Sequence, residues 1–502
     1  METEEELFSD DQVDNDDIAT TDCDIKHDRC IVHIDIDCFY AQVEMIENPS
    51  LYDKPLGIQQ KNILVTCNYV ARERGIGKCT SLFDAKKICP ELVLVNGEDL
   101  SKYRKMSHAI TELLKNFSKR IQRLGFDENF IDVTDIVDSR IGLVDEKATG
   151  HVYQEMKNPC ICDCHRRLRI ASCIAAEMRQ KLFDELKITS CAGIAHNKLL
   201  SKLISGNHKP NQQTLIYPES AKSFMYTLPS LRRIPGVGHT MFEKLKMINI
   251  QTVENALTGA ADKLREALGE KRAIWLKHCC LGIDYSPVTP SGPVLSISDE
   301  DSFKKCSTVK EAKDCMSKLL DKLILRILED GRRPKTVRLS VRHYEEGSWS
   351  KRISKQYNLD KLDLFSNRYG SEEKRKTKLN EIGFELFQKL VVINKPFHLT
   401  LISLTFANFT KSNEKNGCLL SYLTKETITS TNSLKRKSDD FTDKETNKKK
   451  SEKSIKSFFN NKEKKANTKD EDDDVIEILT DVSSTHTQKQ RPKRTILDFY
   501  LK

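Results

Sequence analysis

IVHIDIDCFYAQVE, residues 31–44, reads as an apolar strand running into a helix. Ile31, Val32, Ile34 and Ile36 make the strand, Asp35 and Asp37 interrupt its end, and the aromatic pair Phe39 and Tyr40 opens the helix. A carboxylate in a buried strand is costly unless a cation or partner neutralises it, so its presence points to an oxygen-lined site for a hard divalent ion. A second segment, GFDENFID at 125–132, repeats the arrangement: Asp127 and Glu128 interrupt an apolar run over 126–133. Brought together, Asp35, Asp127 and Glu128 suit two Mg2+ ions, one activating an attacking hydroxyl and one holding a triphosphate. The plainer alternative is an Asp pair at an exposed strand end and an unrelated acidic turn.

With 502 residues the chain has length for several domains and a sizeable core. Its net charge of +8 is unevenly spread, with −11 on residues 1–28 and +19 on the remainder. A basic body suits a polyanionic partner, and the acidic leader, poor in aromatics, reads as disordered. No apolar run approaches membrane-spanning length and the acidic start is unlike a signal or transit peptide, so a soluble intracellular protein is expected. The 16 cysteines are scattered, which reads as reduced buried thiols rather than a disulfide framework. In the tightest group, Cys160, Cys162 and Cys164 beside His165, alternate spacing would throw successive side chains to opposite faces of an extended segment. A variable loop is therefore expected there, not a zinc knuckle.

Periodicity and punctuation place the later elements. A helix over 41–46, strands at 55–58 and 63–68 and a helix over 81–88 form a small unit ending at Asp99; a helix carrying Ile110, Leu113, Leu114 and Phe117 and a long helix over 170–183 follow. LRRIPGVGHTMFEKLKMINIQTV at 231–253 sets Gly236 and Gly238 between two helices, which aims backbone N–H groups at a phosphate, although an ordinary helix turn fits the same letters. A linker is expected over 285–298. Beyond it, Ala312, Met316, Leu319, Leu320, Leu323, Ile324 and Ile327 share one helical stripe. Over 335–344, Val337, Leu339 and Val341 alternate with Arg338, Ser340 and Arg342, so one strand face packs on that helix and the other shows a basic row to a phosphate backbone or to solvent. A closing strand is expected over 397–406. The tail from 412 is polar and reads as disordered, with basic runs at 435–437 and 448–450 that fit nuclear import. Its apolar islands, Ile455, Phe458 and Phe459, then Val475, Ile476 and Ile478, then Ile496, Phe499 and Tyr500, point to partner pockets.

HIDIDCFYAQVE, KPLGIQQKNILVTCNYVARERGIGK, LVNGEDLSKYR, RLGFDENFIDVTD and AGIAHNKLLSKLISGNHKPNQQT, in that order across 30–408, resemble the Y-family translesion DNA polymerases, with QQK, TCNY and GFDENF most like the iota branch. The resemblance implies an α+β multidomain right hand. Its parts would be an acidic disordered leader (1–29), a catalytic palm (30–38 and 100–219), fingers (39–99), a helix-hairpin-helix thumb (220–284), a linker (285–298), a little finger (299–411) and a disordered tail (412–502). It further implies that Asp35, Asp127 and Glu128, with the Ile36 carbonyl, hold two Mg2+ ions, Mn2+ suiting the same oxygens. Phe39, Tyr40, Thr66, Tyr69, Arg72 and Lys209 would meet the dNTP, Tyr40 excluding a 2′-hydroxyl. Gln60, Lys61 and Ile63 would line the template side, where the branch narrows its site and favours a purine turned to its Hoogsteen edge. Gly236, Gly238, Arg338 and Arg342 would contact DNA phosphates. Asn62, Ile63 and Phe242 depart from the commonest family residues. The outer tail islands resemble sliding-clamp peptides, with Glu452 and Lys493 where the leading Gln usually stands, and the middle island resembles a SUMO-interacting strand. The implied function is low-fidelity, template-directed translesion synthesis by a nuclear monomer acting on primer-template DNA and not on membranes. The other reading is a DNA-bound scaffold that recruits repair or replication partners.

Overall fold

The computed structural model describes residues 27–410 except 144–146, 155–159, 161, 260, 346–347, 350 and 367–368. The leader to residue 26 and the tail from 411, with its clamp, SUMO and nuclear-import stretches, lie outside the described residues. The described chain forms two units that part between Gly292 and Pro293.

The first unit opens with β1 (Ile31–Ile36) and α1 (Phe39–Glu47). A three-stranded sheet follows, built from β2 (Leu56–Gln60), β3 (Ile63–Cys67) and, after α2 (Tyr69–Glu73) and α3 (Leu82–Ile88), β4 (Val93–Asn96), in the order β3-β2-β4. Next come α4 (Ser101–Leu114), β5 (Ile121–Leu124), β6 (Glu128–Asp132), α5 (Thr134–Arg140), β7 (His151–Tyr153), α6 (Cys164–Leu186), β8 (Ser190–Ala195), α7 (Lys198–Ile204) and β9 (Gln213–Ile216). With β1 these strands make a six-stranded sheet in the order β5-β6-β1-β8-β9-β7. Helices α8 (Ala221–Tyr226), α9 (His239–Met247), α10 (Val253–Thr258), α11 (Ala261–Leu268) and α12 (Glu270–Cys280) complete the unit around their own apolar core.

β1 is central because it is flanked by β6 and β8, antiparallel to both. Its period of two sorts its side chains. Val32, Ile34 and Ile36 bury against Ile110 and Leu114 of α4 and Ile174 and Met178 of α6; each is worth about 2 kcal/mol of apolar burial. His33 and Asp35 are thereby committed to the opposite face. That face is crossed by α7, which approaches so closely that a Cβ on Gly193 would stand 1.9 Å from the Ser201 carbonyl oxygen. Gly193 pairs with His33, so the missing side chain lets α7 carry Lys202 and Ser205 to the polar face of β1.

The second unit comprises β10 (Ser296–Cys306), α13 (Val309–Asp330), β11 (Pro334–Glu345), β12 (Ser348–Trp349), β13 (Ile353–Asn358), α14 (Glu372–Leu390) and β14 (Leu399–Phe409). Its sheet runs β10-β14-β11-β12, with β13 also paired to β11. Thr308 and Glu311 form a reciprocal capping box at the start of α13, and Gly331 ends that helix with φ 76°, a left-handed conformation that costs glycine little. Leu320 and Ile324 of α13 and Leu386 and Phe387 of α14 pack with Val337, Leu404 and Phe406 of the sheet.

Three stretches differ from the sequence reading. β10 begins at Ser296, inside the expected linker. Only Ile297 and Cys306 of this strand are buried, so its position comes from pairing with β14 and not from an apolar pattern. The long helix starts at Cys164 because Asp163, with φ 62°, turns the chain into it; Cys164 and His165 are thus helical rather than part of a loop. Residues 27–29, grouped with the leader by composition, are held in place: the Arg29 guanidinium donates to the carbonyls of Ser286 and Asp284, both at 2.8 Å. Among the described residues no helix is long and apolar enough to cross a membrane.

Candidate active site

The antiparallel register of β1 and β6 sets Asp35 directly opposite Glu128. The Ile36 N–H donates to the Asp127 carbonyl at 2.9 Å, which ties the residue before β6 to the end of β1. Asp35 and the adjacent pair Asp127 and Glu128, more than 90 residues apart in sequence, therefore meet at one end of one strand pair, with Asp35 and Glu128 on the face away from α4 and α6. The Ile36 side chain is in the core, so its carbonyl is the group it can offer a cation.

Each carboxylate has a different electrostatic setting. Lys209 Nζ stands 2.5 Å from Asp35 Oδ2; burial opposes the ammonium charge, but Asp35 outweighs it and raises the lysine pKa. Glu128 Oε2 is bonded by Lys202 Nζ and lies 3.1 Å from His33 Nε2. Burial opposes ionisation of Glu128, yet the His33 hydrogen bond and the Lys202 charge prevail and hold its carboxyl well below the usual range. Among the described residues no cation lies within ion-pair distance of Asp127. Burial, then the charges of Glu128 and Asp35, push its carboxyl up to about 7. Two carboxylates satisfied by lysines and a third destabilised by its neighbours make an all-oxygen donor set with uncompensated negative charge, which fits hard divalent cations.

His33 is a supporting residue that the strand pattern does not reveal. It is buried, with Nδ1 3.1 Å from Ser205 Oγ, while that hydroxyl donates to the Lys202 carbonyl at 2.7 Å. His33 thus bridges Ser205 at the end of α7 and Glu128 of β6 on the polar face of β1. Asp37 is structural. Its buried carboxylate accepts from the Asn211 N–H (2.8 Å), Thr189 Oγ1 (3.1 Å), Cys191 Sγ (3.1 Å) and the Tyr69 hydroxyl (3.4 Å). A fully partnered buried carboxylate has no capacity left for a metal, which separates the two aspartates of the DID sequence.

Around this centre, Tyr40 stacks on Tyr103 with ring centroids 4.2 Å apart, and burial followed by the nearby Asp127 charge pushes its phenol up to about 12. Phe39 is buried in the main core, which leaves only its backbone to offer a ligand. The Arg72 guanidinium lies 4.5 Å from the Tyr69 ring centroid and donates through Nε to the Cys67 carbonyl at 3.2 Å. Thr66 is buried opposite Ile58. Gln60 and Ile63 flank a two-residue hairpin turn in which Lys61 has φ 52°. Gln60 Nε2 donates to the Gly97 carbonyl at 2.7 Å and the Lys61 N–H to Glu98 Oε1 at 3.2 Å. The Ile63 side chain is buried, so its branching acts through the packing of the hairpin.

Gly236 takes φ 93° in the turn before α9, and Gly238 is the N-cap of that helix. The Gly238 N–H donates to the Gly236 carbonyl at 3.2 Å. Phe242 packs against the core of this helical region, under the Arg232 guanidinium at 5.9 Å, which accounts for a bulky residue at this position. In the second unit, Val337, Leu339 and Val341 are buried while Arg338 is exposed and Arg342 half-buried, as the alternation predicts. Arg338 donates to Gln356 Oε1 (3.2 Å) and Arg342 to Thr400 Oγ1 (2.9 Å), which holds both on the polar face of the sheet.

Comparison with known proteins gives three adjacent family matches: the impB/mucB/samB family at residues 34–206, a segment described as DNA polymerase-iota, thumb domain, at 232–284, and the impB/mucB/samB family C-terminal domain at 294–418. The chain is 45% identical over 407 residues to DNA polymerase iota of Mus musculus, covering 80% of this chain and 56% of that protein. It is 44% identical over 409 residues to DNA polymerase iota of Homo sapiens, covering 80% and 55%. DNA polymerase IV of Francisella tularensis subsp. novicida is 33% identical over 307 residues, 60% of this chain and 79% of that protein. The chain thus spans a little over half the length of these iota relatives.

Proposed function

The chain belongs to the impB/mucB/samB family, the Y-family DNA polymerases, close to the iota branch, and on that premise we propose that it extends a primer 3′ end by template-directed, low-fidelity nucleotidyl transfer across damaged bases. The observation that carries the reading is Asp35 opposite Glu128 in register, with Asp127 at the adjoining strand end. Two divalent ions, Mg2+ or in their place Mn2+, would supply hydroxyl activation and charge compensation when bound. Asp35 and Asp127 would be shared between them, Glu128 would complete the primer side, and the Ile36 carbonyl the nucleotide side. Lys209, Arg72 and Tyr69 offer a point charge, a planar fork and a hydroxyl to the triphosphate. Tyr40, fixed by its stack on Tyr103, would underlie the sugar and exclude a 2′-hydroxyl.

In this reading the six-stranded sheet is the palm, the β3-β2-β4 unit the fingers with Gln60, Lys61 and Ile63 on the template side, the region from α8 to α12 the thumb, and the second unit the little finger. Arg338 and Arg342, with the Gly236 turn, would contact phosphates. Nuclear location, a monomeric state, clamp binding by the outer tail islands and SUMO binding by the middle one are parts of the same proposal. A pure scaffold has no use for three carboxylates brought together at one strand end, so that reading is not favoured. Single-nucleotide primer extension with each dNTP opposite each template base is the test. Incorporation that is efficient opposite A, error-prone opposite T and lost in Asp127→Ala is the expected result. Uniform preference would retain a polymerase but remove the Hoogsteen-type reading; no incorporation by the wild type with either metal would overturn the proposal.

A further inference from the structure

The cysteine group that spacing argued against as a metal site is drawn together by the fold. Asp163, with φ 62°, reverses the chain between Cys162 and Cys164, so the three thiols no longer alternate across an extended segment. A fourth donor arrives from more than 130 residues away: His27, in the segment that leads into β1. One ligand atom from each of His27, Cys160, Cys162 and Cys164 lies within 4.8 Å of all the others. His27 Nδ1 is 3.6 Å from Cys162 Sγ and 3.8 Å from Cys160 Sγ. A tetrahedral zinc ion with bonds of about 2.3 Å to sulfur and about 2.05 Å to nitrogen has N···S edges of about 3.6 Å and S···S edges of about 3.8 Å. The two histidine edges match this. Cys160 and Cys162, whose sulfurs are 2.9 Å apart and hydrogen-bonded, would part by about 0.9 Å to reach a full tetrahedral edge.

The surroundings resemble the outer shell of a built site. Glu219 accepts from the Cys160 N–H and from His165 Nε2, the latter at 2.9 Å. His165 in turn lies flat on Tyr217, with centroids 3.8 Å apart and planes within 3°. The backbone that carries Cys160 and the first turn of α6 are thus both fixed by one carboxylate, the type of support that orients metal ligands. On the other side the His27 ring meets His196 edge-on at 5.0 Å, and two residues later Arg29 is clamped to the carbonyls of Ser286 and Asp284. All four donors belong to the first unit.

We propose that His27, Cys160, Cys162 and Cys164 form a structural zinc site that staples the segment before β1 to the start of α6. Three thiolates and one imidazole make a closed N/S set, which suits zinc and leaves no open coordination position for catalysis. The site is independent of the carboxylates: His27 lies before β1 and Asp35 near its far end.

The test is zinc content of the purified full chain after gel filtration, together with the absorption spectrum of the Co2+-substituted protein. One equivalent of zinc per chain is expected, with sulfur-to-cobalt charge-transfer and tetrahedral d–d bands. Cys162 is exposed and His27 half-buried, so Cys162→Ser and His27→Ala should fold; each should lose at least about four-fifths of the zinc and the sulfur-to-cobalt band while keeping primer extension within about twofold. Cys173→Ser, a thiol outside the set, should retain both signals. Metal-free protein with free thiols, a disulfide between Cys160 and Cys162 detected by mass, or zinc retained in both ligand variants would overturn the proposal.

Discussion

The two ends of β1 carry opposite kinds of donor chemistry. At its far end lie three carboxylates, two of them neutralised by Lys209 and Lys202 and one pushed up to about 7 by burial and its neighbours. Before its near end lie one imidazole and three thiols gathered within 4.8 Å. The oxygen site carries repulsion at Asp127, and the lysines that neutralise its neighbours come from α7 and the segment after it. The nitrogen–sulfur site is backed by Glu219, which holds the Cys160 N–H and the His165 ring. On the proposed reading, the site that would bind and release substrate with its metals is left electrostatically unsatisfied, and the site that would join two segments is closed.

The sharpest break between the two ends is catalytic. Asp127→Ala and Asp35→Ala should each lower single-turnover primer extension by about 10^3-fold or more, about 4 kcal/mol of transition-state stabilisation, whereas Cys162→Ser leaves it nearly intact. A smaller but still large effect is expected at the face that supports the oxygen site. Gly193→Ala sets a methyl 1.9 Å from the Ser201 carbonyl oxygen and should destabilise the protein by about 3 kcal/mol in denaturant titrations, because α7 must retreat and withdraw Lys202.

The frustration of Asp127 has a definite sign. Its carboxyl titrates at about 7 in the folded protein against 3.8 for the free side chain. Between those values the folded state holds a proton that the unfolded state has lost, so stability falls as pH rises through the window and the loss is complete above it. In metal-free protein at pH 8, Asp127→Asn should therefore be more stable than wild type by about 2 kcal/mol, with the difference vanishing towards pH 4, as read from thermal melts. A variant that is inactive yet more stable would mark the carboxylate as retained for chemistry. The smallest expected effect is on the second unit, where Arg338→Ala should weaken DNA binding by about 1 kcal/mol and reduce the salt slope by about one.

Legibility in the sequence followed local pattern. β1, α13 and β11 were readable because apolar residues recur at two or three-to-four positions and Thr308 and Gly331 punctuate the helix. β8, SCAGIA, was not: its small residues carry little pattern, and its place beside β1 depends on α7 packing at Gly193. β10 has only two buried residues and is positioned by pairing. The same split holds at the site. The carboxylates were visible as charges interrupting apolar runs, but which of Asp35 and Asp37 faces the centre is a matter of hydrogen-bond partners. The roles of His33 and Lys202 depend on the register between β1 and β6 and on α7. At the cysteine group, spacing pointed away from a site because it presumed an extended chain; the positive φ of Asp163 and the arrival of His27 from before β1 are properties of the fold alone.

The most direct test strips the full chain with EDTA and measures single-nucleotide primer extension on return of Mg2+ alone, for wild type, Asp127→Asn and Cys162→Ser side by side. Full recovery is expected for wild type, recovery within about twofold for Cys162→Ser, and none for Asp127→Asn. Extension that survives in Asp127→Asn would contradict the assignment of the chemistry to the carboxylate end of β1.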